Sequence, residues 1–481
     1  MKRYNLNYFI LSLLLIGSIT ISSCSKNFLT EPKPVSGLSE KDVYASDQGV
    51  RAYFNGIYSY MRTQYGGAGE IGGSTDAWGI TSVELARVVK GLDVVLDGGW
   101  YNFDYEIDNR EATYRRTVFV WRFYYELANQ ANNMIVGIAN STALSEESKK
   151  AFTAEAKAFR AYCHFEVSLE YSHAYLENPD AKGIPYYTVP TDATTTGEPR
   201  GTLKETYTAI LKDLNEALPD IPEDRQMKDV INKDVVEGLL ARVYLQMGDY
   251  ENAAKYAKAA QANYSLDYDP PITDIDKSDV IWGFPQSSDQ TIYYGVPSSF
   301  WGGQGNGYDN FYIDTNFVHK FSATDVRSKD FYSTESKDFD LFRYKTAKFG
   351  DDINFTDHII VMRSSEMLLI EAEAKARLND NTADDVLYKL QLERDPDAVK
   401  SNNTGAALIA EILLERRKEL YGEIGVSFLD IKRTQSNYSR DAGHPAPYNL
   451  QIPANSNKFT LKIPQTEMDG NKSFTAADQN D

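Results

Sequence analysis

Between Val236 and Ala260 the spacing of apolar residues leaves the backbone few options. Val236, Leu239, Leu240, Val243 and Met247 recur at intervals of three and four, which places them on one face of an α-helix. Gly248-Asp249-Tyr250 breaks the run, and Ala253, Tyr256, Ala257 and Ala260 resume it. Two antiparallel helices with small residues at their crossing produce this pattern.

The same period extends over much of the chain. Ser46 and Asp47 offer an N-cap to a helix whose apolar face is Val50, Phe54, Ile57, Tyr58 and Met61. The spacing predicts further helices over 117–138, 146–175, 203–218, 230–247, 250–262, 362–378 and 405–421. From 66 to 105 the period is less continuous, so that stretch reads as long loops with one short helix near 83–90. From 265 to 344 Pro, Gly, Asp and aromatics replace it, and the last fifty residues are irregular. The fold class is mainly α: helical hairpins forming a scaffold, with long irregular loops and a few short strands. Long ordered loops on such a frame are where function concentrates. The unit at 236–260 closely resembles a tetratricopeptide repeat, since Leu240, Ala241, Tyr244, Gly248, Tyr250, Ala253 and Ala260 fall at its marked offsets, Ala241 standing where Gly is commoner.

The N-terminus points to a compartment. Lys2 and Arg3 precede an apolar run from Tyr8 to Ile21, too short for a comfortable membrane span, and small residues follow, so residues 1–23 read as a secretory signal peptide. The junction Ile21-Ser22-Ser23-Cys24 resembles a bacterial lipobox, in which cleavage leaves a cysteine that carries acyl chains. The competing reading is a plain signal peptide with a chance cysteine. Residues 24–40, with two prolines and no helical period through most of their length, read as a lipidated tether. With Cys24 acylated, Cys163 has no partner for an intramolecular disulfide, and on an aromatic-rich helix face it reads as a small buried hydrophobe.

Charge excludes one class of partner. The formal charge is −19, and removal of residues 1–23, which carry Lys2 and Arg3 and no acid, makes it −21. Nucleic-acid binding rests on Lys and Arg displacing counterions from phosphates, so nucleic acid is not expected. Anionic headgroups would also repel such a surface, so membrane attachment must come from the lipid anchor or a partner.

Several stretches in order carry a family resemblance. They are Trp121–Ile135 with Asn132; Glu155-Ala156-Lys157-Ala158-Phe159-Arg160-Ala161 leading to Gly183-Ile184-Pro185; the hairpin at 240–260; the run from Arg363 to Ala374; Glu415-Arg416-Arg417-Lys418-Glu419-Leu420; Asp430-Ile431-Lys432-Arg433; and Ile463-Pro464 with Glu467. Together, behind a lipobox, they resemble the SusD/RagB family of nutrient-binding outer-membrane lipoproteins. One departure is Gly425-Val426-Ser427, where relatives often carry a basic or aromatic residue before Phe-Leu-Asp. The resemblance implies a lipid-anchored protein at the cell surface, seated over a SusC-like TonB-dependent transporter, that captures glycans for import. Peptide capture by the same fold, and a surface scaffold that binds no small ligand, are the alternatives. It also divides the body into a part over 41–264 and a loop-rich part over 265–481, intertwined as one globule. Glu155 with Arg160, Glu366 with Arg363, and the run from Glu415 to Glu419 read as ion pairs that identify the fold rather than the ligand.

No catalytic constellation stands out. His164, His173, His319, His358 and His444 include no pair at metal spacing. Gly67 to Gly72 satisfies GxGxxG, but no strand precedes it, so the phosphate-cradling context is missing. No cofactor is expected. Asp267, Asp269, Asp274, Asp276 and Asp279 could gather around calcium, yet a solvated acidic loop explains them as well.

Sugar binding needs flat rings for the C–H face of a pyranose and nearby polar groups for its hydroxyls. Two loop regions offer that mixture. The first holds Asp76, Trp78, Trp100, Tyr101 and Asn102; the second runs from Tyr293 and Tyr294 through Phe300, Trp301, Gln304, Asn306, Tyr308, Asp309 and Asn310 to Tyr312. The ligand-binding set expected from them is Trp78, Trp100, Tyr101, Trp301, Tyr308 and Tyr312. Trp282, Phe317 and Phe321 read as core.

Overall fold

Ser46 caps the first long helix, α1 (Asp47–Met61), its hydroxyl oxygen accepting a hydrogen bond from the Gly49 amide at 3.2 Å. The computed structural model describes residues 40–66, 74–289, 292–301, 307–334, 342, 344–350, 353–440 and 442–481. The signal, the tether from Cys24 to residue 39, the Gly67–Gly72 motif, Gln304 and Asn306 lie outside them. The five apolar residues expected on the inner face of α1 are all buried.

Helices α2 (Gly79–Lys90), α3 (Arg115–Asn140), α4 (Glu146–Tyr171), α5 (Leu203–Ala217), α6 (Lys233–Met247) and α7 (Tyr250–Ala260) follow. The hairpin of α6 and α7 turns at Gly248, whose φ of 74° is the left-handed conformation that a glycine adopts without a Cβ clash. Asp249 then caps α7 by accepting from the Asn252 amide. Ala253, Ala257 and Ala260 are buried, and Tyr244 stacks on Tyr256 with centroids 5.8 Å apart. The tetratricopeptide-like pattern is thus a real hairpin.

In the C-terminal half come α8 (Ser364–Arg377), α9 (Ala383–Arg394), α10 (Gly405–Leu420) and α11 (Val426–Arg433). Helices α9 and α11 were not among the expected ones. In α9 the buried face is Ala383, Val386, Leu387 and Leu390, a helical period diluted by acids and Lys389. At Gly425, which precedes α11, φ is 76° and a Cβ would lie 2.0 Å from Cβ of Arg87. The Gly-Val-Ser turn therefore packs directly on α2.

The strands are short, and they tie distant loops together. Strand β1 (Val94–Leu96) pairs antiparallel with β3 (Phe311–Ile313), and β3 continues to β5 (Tyr344–Thr346) and β4 (Phe331–Ser333). Strand β2 (Val280–Phe284), all five residues buried, pairs with β6 (Ile359–Arg363), which runs straight into α8. A two-residue pair, β7 (Tyr438–Ser439) with β8 (Gln451–Ile452), closes the C-terminal stretch.

The main core draws on α1 and α3 to α7, on β2 and β6, and on residues as late as Ile463. Trp282 and Cys163 are fully buried within it, and burial pushes the Cys163 thiol well up. A second core, centred on Phe300, Trp301, Phe311 and Phe349, holds the loop region together, with Phe317 inside it and Phe321 packed against it.

The signature charges form ion pairs, but with other partners than those adjacent in sequence. Glu155 takes Arg51 at 2.6 Å rather than Arg160, and Arg160 takes Asp213 at 2.7 Å. Glu366 takes Arg242 at 2.6 Å, whereas Arg363 binds Glu423 and Asp279, both at 2.8 Å. Neighbours in the sequence point to different elements: Glu155, Arg160 and Glu366 staple helix to helix, and Arg363 ties β6 to two loops.

Candidate functional site

Pairing of β1 with β3 sets Leu96 opposite Phe311 and so brings the turn after β1 against the loop before β3. Gly98 and Gly99, with φ of 64° and 77°, let the chain reverse there. The Asp97 amide donates to the Asn310 carbonyl at 2.9 Å, and Asn310 Nδ2 donates to the Gly98 carbonyl at 2.8 Å. Trp100 and Tyr308, 208 residues apart in sequence, thereby meet edge to face at 6.4 Å.

From that pair a ladder of rings extends. Tyr308 stacks on Phe300 at 5.3 Å and meets Tyr294 at 5.4 Å; Tyr294 meets Phe355 at 4.9 Å. Tyr294 is 46% exposed, and Trp100 and Tyr308 are half-buried. The Tyr308 hydroxyl lies 3.0 Å from the Thr75 hydroxyl. On the other side the Arg115 guanidinium sits 6.0 Å from the Trp100 ring centroid, held there by a bidentate pair with Asp76 at 2.8 and 3.0 Å.

Asp76 and Arg115 line a cleft of about 740 Å³. Phe103, 64% exposed, and Tyr114, 43% exposed, line it together with Glu106 and Asp108. The arrangement offers flat apolar faces beside fixed donors and acceptors, which is the chemistry for holding a polyhydroxylated ligand.

The six expected ligand residues divide sharply. Trp100 and Tyr308 come together beside the cleft, Trp100 adjoining it through Arg115, though neither ring lines it. Trp301 is 0% exposed, stacked on Phe349 at 5.2 Å and edge-on to Phe311 at 5.2 Å, so it is a core residue and cannot touch a ligand. Tyr101 is 3% exposed; its ring packs on Phe300 and its hydroxyl lies 2.9 Å from the Ser82 hydroxyl, beneath the site rather than in it. Trp78 is half-buried under the Gly295 backbone, where a Cβ would meet its ring at 2.6 Å. Tyr312 lies under the Lys345 ammonium, 3.8 Å from its centroid, and against Phe342. Burial brings Lys345 down to about 8.

Sequence reading missed Phe103, Tyr114, Arg115 and Phe355. Of these only Tyr114-Arg115, at the start of α3, carries a local signal: an exposed ring followed by a cation. For metals, no group of three or more His, Cys, Asp and Glu side chains among the described residues is placed to hold an ion. In the acidic stretch, Asp279 pairs with Arg363 and Asp269 with Lys277, and Asp267 accepts from the Ser278 hydroxyl. Burial brings His164 down to about 4, leaving it neutral, and the ring stacks on Tyr186 at 4.0 Å as a core residue.

Packed hairpins carrying a ring-lined cleft on long inserted loops define a mainly α scaffold protein, and comparison with known proteins agrees. Two family profiles match, one described as starch-binding and associating with the outer membrane over residues 93–245, the other as the SusD family over residues 337–480. The SusD-like protein P2 of Formosa agariphila is 23% identical over 471 residues, covering 86% of this chain and 85% of that one. A solved SusD-like carbohydrate binding protein from Bacteroides vulgatus superposes with a TM-score of 0.82 at 26% identity, covering 91% of this chain and 98% of its own. A laminarin binding SusD-like protein shares the fold with a TM-score of 0.66 at 18% identity, covering 90% of this chain and 98% of its own. The chain belongs to the SusD family. Among the described residues no helix is long and apolar enough to cross a membrane.

Proposed function

We propose that this protein is a cell-surface glycan-binding lipoprotein, anchored to the outer membrane through acylated Cys24, that passes oligo- or polysaccharide to a SusC-like TonB-dependent transporter. The observation that carries the reading is the ladder of half-exposed rings at Trp100, Tyr308 and Tyr294 beside the Asp76–Arg115 pair. Rings of this kind stack on the apolar faces of pyranoses, while carboxylate and guanidinium groups take the hydroxyls. A matching family described as starch-binding, and relatives described as binding laminarin or carbohydrate, add support.

Electrophoresis through gels containing laminarin, starch and other polysaccharides tests the reading. Wild-type protein is expected to be retarded in at least one gel, and Trp100→Ala to weaken that interaction about fivefold, the worth of a single ring contact of roughly 1 kcal/mol. Retardation that Trp100→Ala leaves untouched would refute the assignment of this cleft.

The anchor has its own test. Cys24→Ala is expected to release the protein from the membrane fraction without altering its thermal unfolding, since more than one acyl chain on that residue is what holds such a protein at a bilayer. Continued sedimentation with membranes would mean that something other than the lipid retains it.

A further inference from the structure

Helix α3 serves two clefts. Arg115, Val118 and Arg122 line the one described above, and Arg122, Tyr125, Glu126 and Asn129 line a second, of about 310 Å³. Steps of three and four residues keep all of these on one face of the helix. Between Arg115 and Asn129 that face is about 21 Å long at 1.5 Å per residue.

The second cleft is held open by specific contacts. Asn129 grips the loop opposite, donating from Nδ2 to the Thr191 carbonyl at 3.0 Å and accepting the Thr191 amide on Oδ1 at 2.8 Å. Further along, Asn471 Nδ2 donates to the Glu198 carbonyl at 3.0 Å, and it packs so close to Gly197 that a Cβ there would lie 2.1 Å from its side chain. Tyr125 and Tyr187 wall the space as perpendicular rings 5.7 Å apart, with Trp121 against Tyr125 at 4.6 Å.

Two features join the clefts and describe what fits them. Arg122 lines both and makes no hydrogen bond or ion pair with any described residue, so its donors are free for a ligand that passes over it. Six acidic residues, Asp76, Glu106, Asp108, Glu126, Asp192 and Glu467, line the pair of clefts against two cations, Arg115 and Arg122, and four of the six already accept from neutral donors: Glu106 from Asn102, Glu126 from Tyr60 and Tyr65, Asp192 from Thr194, and Glu467 from Asn471. Such a surface, on a chain of net charge −19, accepts hydrogen bonds from hydroxyls and repels polyanions.

We infer that the cargo is an uncharged, chain-like glycan laid along α3, running from the first cleft, which Trp100 adjoins through Arg115, over Arg122 into the Tyr125–Tyr187 cleft. The inference rests on the glycan reading of the first cleft and adds a second binding site and a minimum length. A monosaccharide occupies one cleft; a chain gains from both.

The full chain is run through gels containing a neutral polysaccharide (laminarin or soluble starch) or an acidic one (alginate), and is titrated with a trisaccharide of whichever neutral polymer retards it. Tyr187→Ala and Arg122→Ala are each expected to weaken retention by the neutral polymer about fivefold; Tyr187→Ala, which touches only the second cleft, is expected to leave trisaccharide affinity unchanged. Because Tyr187 supports Tyr125, the Arg122 variant, which disturbs no described hydrogen bond, decides the matter if Tyr187→Ala proves less stable. Neutral-polymer retention unchanged in Arg122→Ala overturns the second cleft while leaving the first intact. Stronger retention by alginate than by either neutral polymer overturns the uncharged-cargo inference, and no retention of wild type in any polysaccharide gel overturns the glycan reading itself together with this extension.

Discussion

Glu419→Gln is expected to lower the free energy of unfolding by about 3–5 kcal/mol, the usual cost of breaking a buried ion cluster from one side. Glu419 is completely buried and accepts from three guanidinium groups: Arg327 at 3.0 Å, Arg363 at 3.2 Å and Arg394 at 2.9 and 3.0 Å. Glutamine keeps the shape and removes the charge. Arg327 retains Asp325 and Glu415, and Arg363 retains Glu423 and Asp279, but Glu419 is the one carboxylate with which Arg394 pairs among the described residues. Chemical denaturation measures the loss, and Arg394→Met in the Glu419→Gln background should recover part of it by removing the stranded cation.

The same cluster sets a pH response. The guanidinium groups of Arg394, Arg363 and Arg327 outweigh burial and hold Glu419 well below its ordinary value of 4.5. A carboxylate whose folded value is depressed contributes stability that is fully present above the unfolded value and is lost as pH falls through the folded one. Wild type should therefore lose stability below about pH 4.5 more steeply than Glu419→Gln. A loss under 1 kcal/mol at pH 7, or identical acid profiles, would contradict the cluster's role as the pin between α10, β6 and α9.

Trp301→Ala should destabilise by about 3–5 kcal/mol, as expected for emptying a filled core position. Its indole fills the space between Phe349 and Phe311, and so tightly that a Cβ on Gly422 would lie 3.1 Å from it. Trp301→Phe, which keeps an aromatic ring in the stack, should fold and bind polysaccharide as wild type does. Normal stability of Trp301→Ala, or loss of binding in a folded Trp301→Phe, would return this tryptophan to the ligand surface.

The contrast between Trp301 and Trp100 marks where sequence reading stops. Both stand among glycines and amides, and nothing local separates them. What separates them is the β1–β3 pairing, a contact across more than two hundred residues that turns Trp100 outward and encloses Trp301 with Phe349. Likewise the charges at Glu155, Arg160, Arg363 and Glu366 are plain in the sequence, but their partners lie on other helices or, for Arg363, on loops, and depend on how distant segments pack. Helical faces fared better because their period is local. Val50, Phe54, Ile57, Tyr58 and Met61 are buried as their spacing requires, and the turn at Gly248 falls between the helices it was expected to join. The site is thus half legible: Asp76 in the cleft and the Trp100 and Tyr308 rings beside it are marked in the sequence, whereas Arg115, Phe103 and Tyr114 line the cleft through the placement of α3 and the loop before it.

The central claim is that half-exposed rings joined by the β1–β3 pairing, and not those enclosed beneath them, hold the cargo. Crystals soaked with an oligosaccharide of a polymer that retards the protein test it most directly. The account predicts a sugar ring against Trp100 or Tyr294, with hydroxyls within hydrogen-bonding distance of Asp76 or Arg115. Sugar bound on the α6–α7 hairpin, with the Trp100 cleft empty, would contradict it.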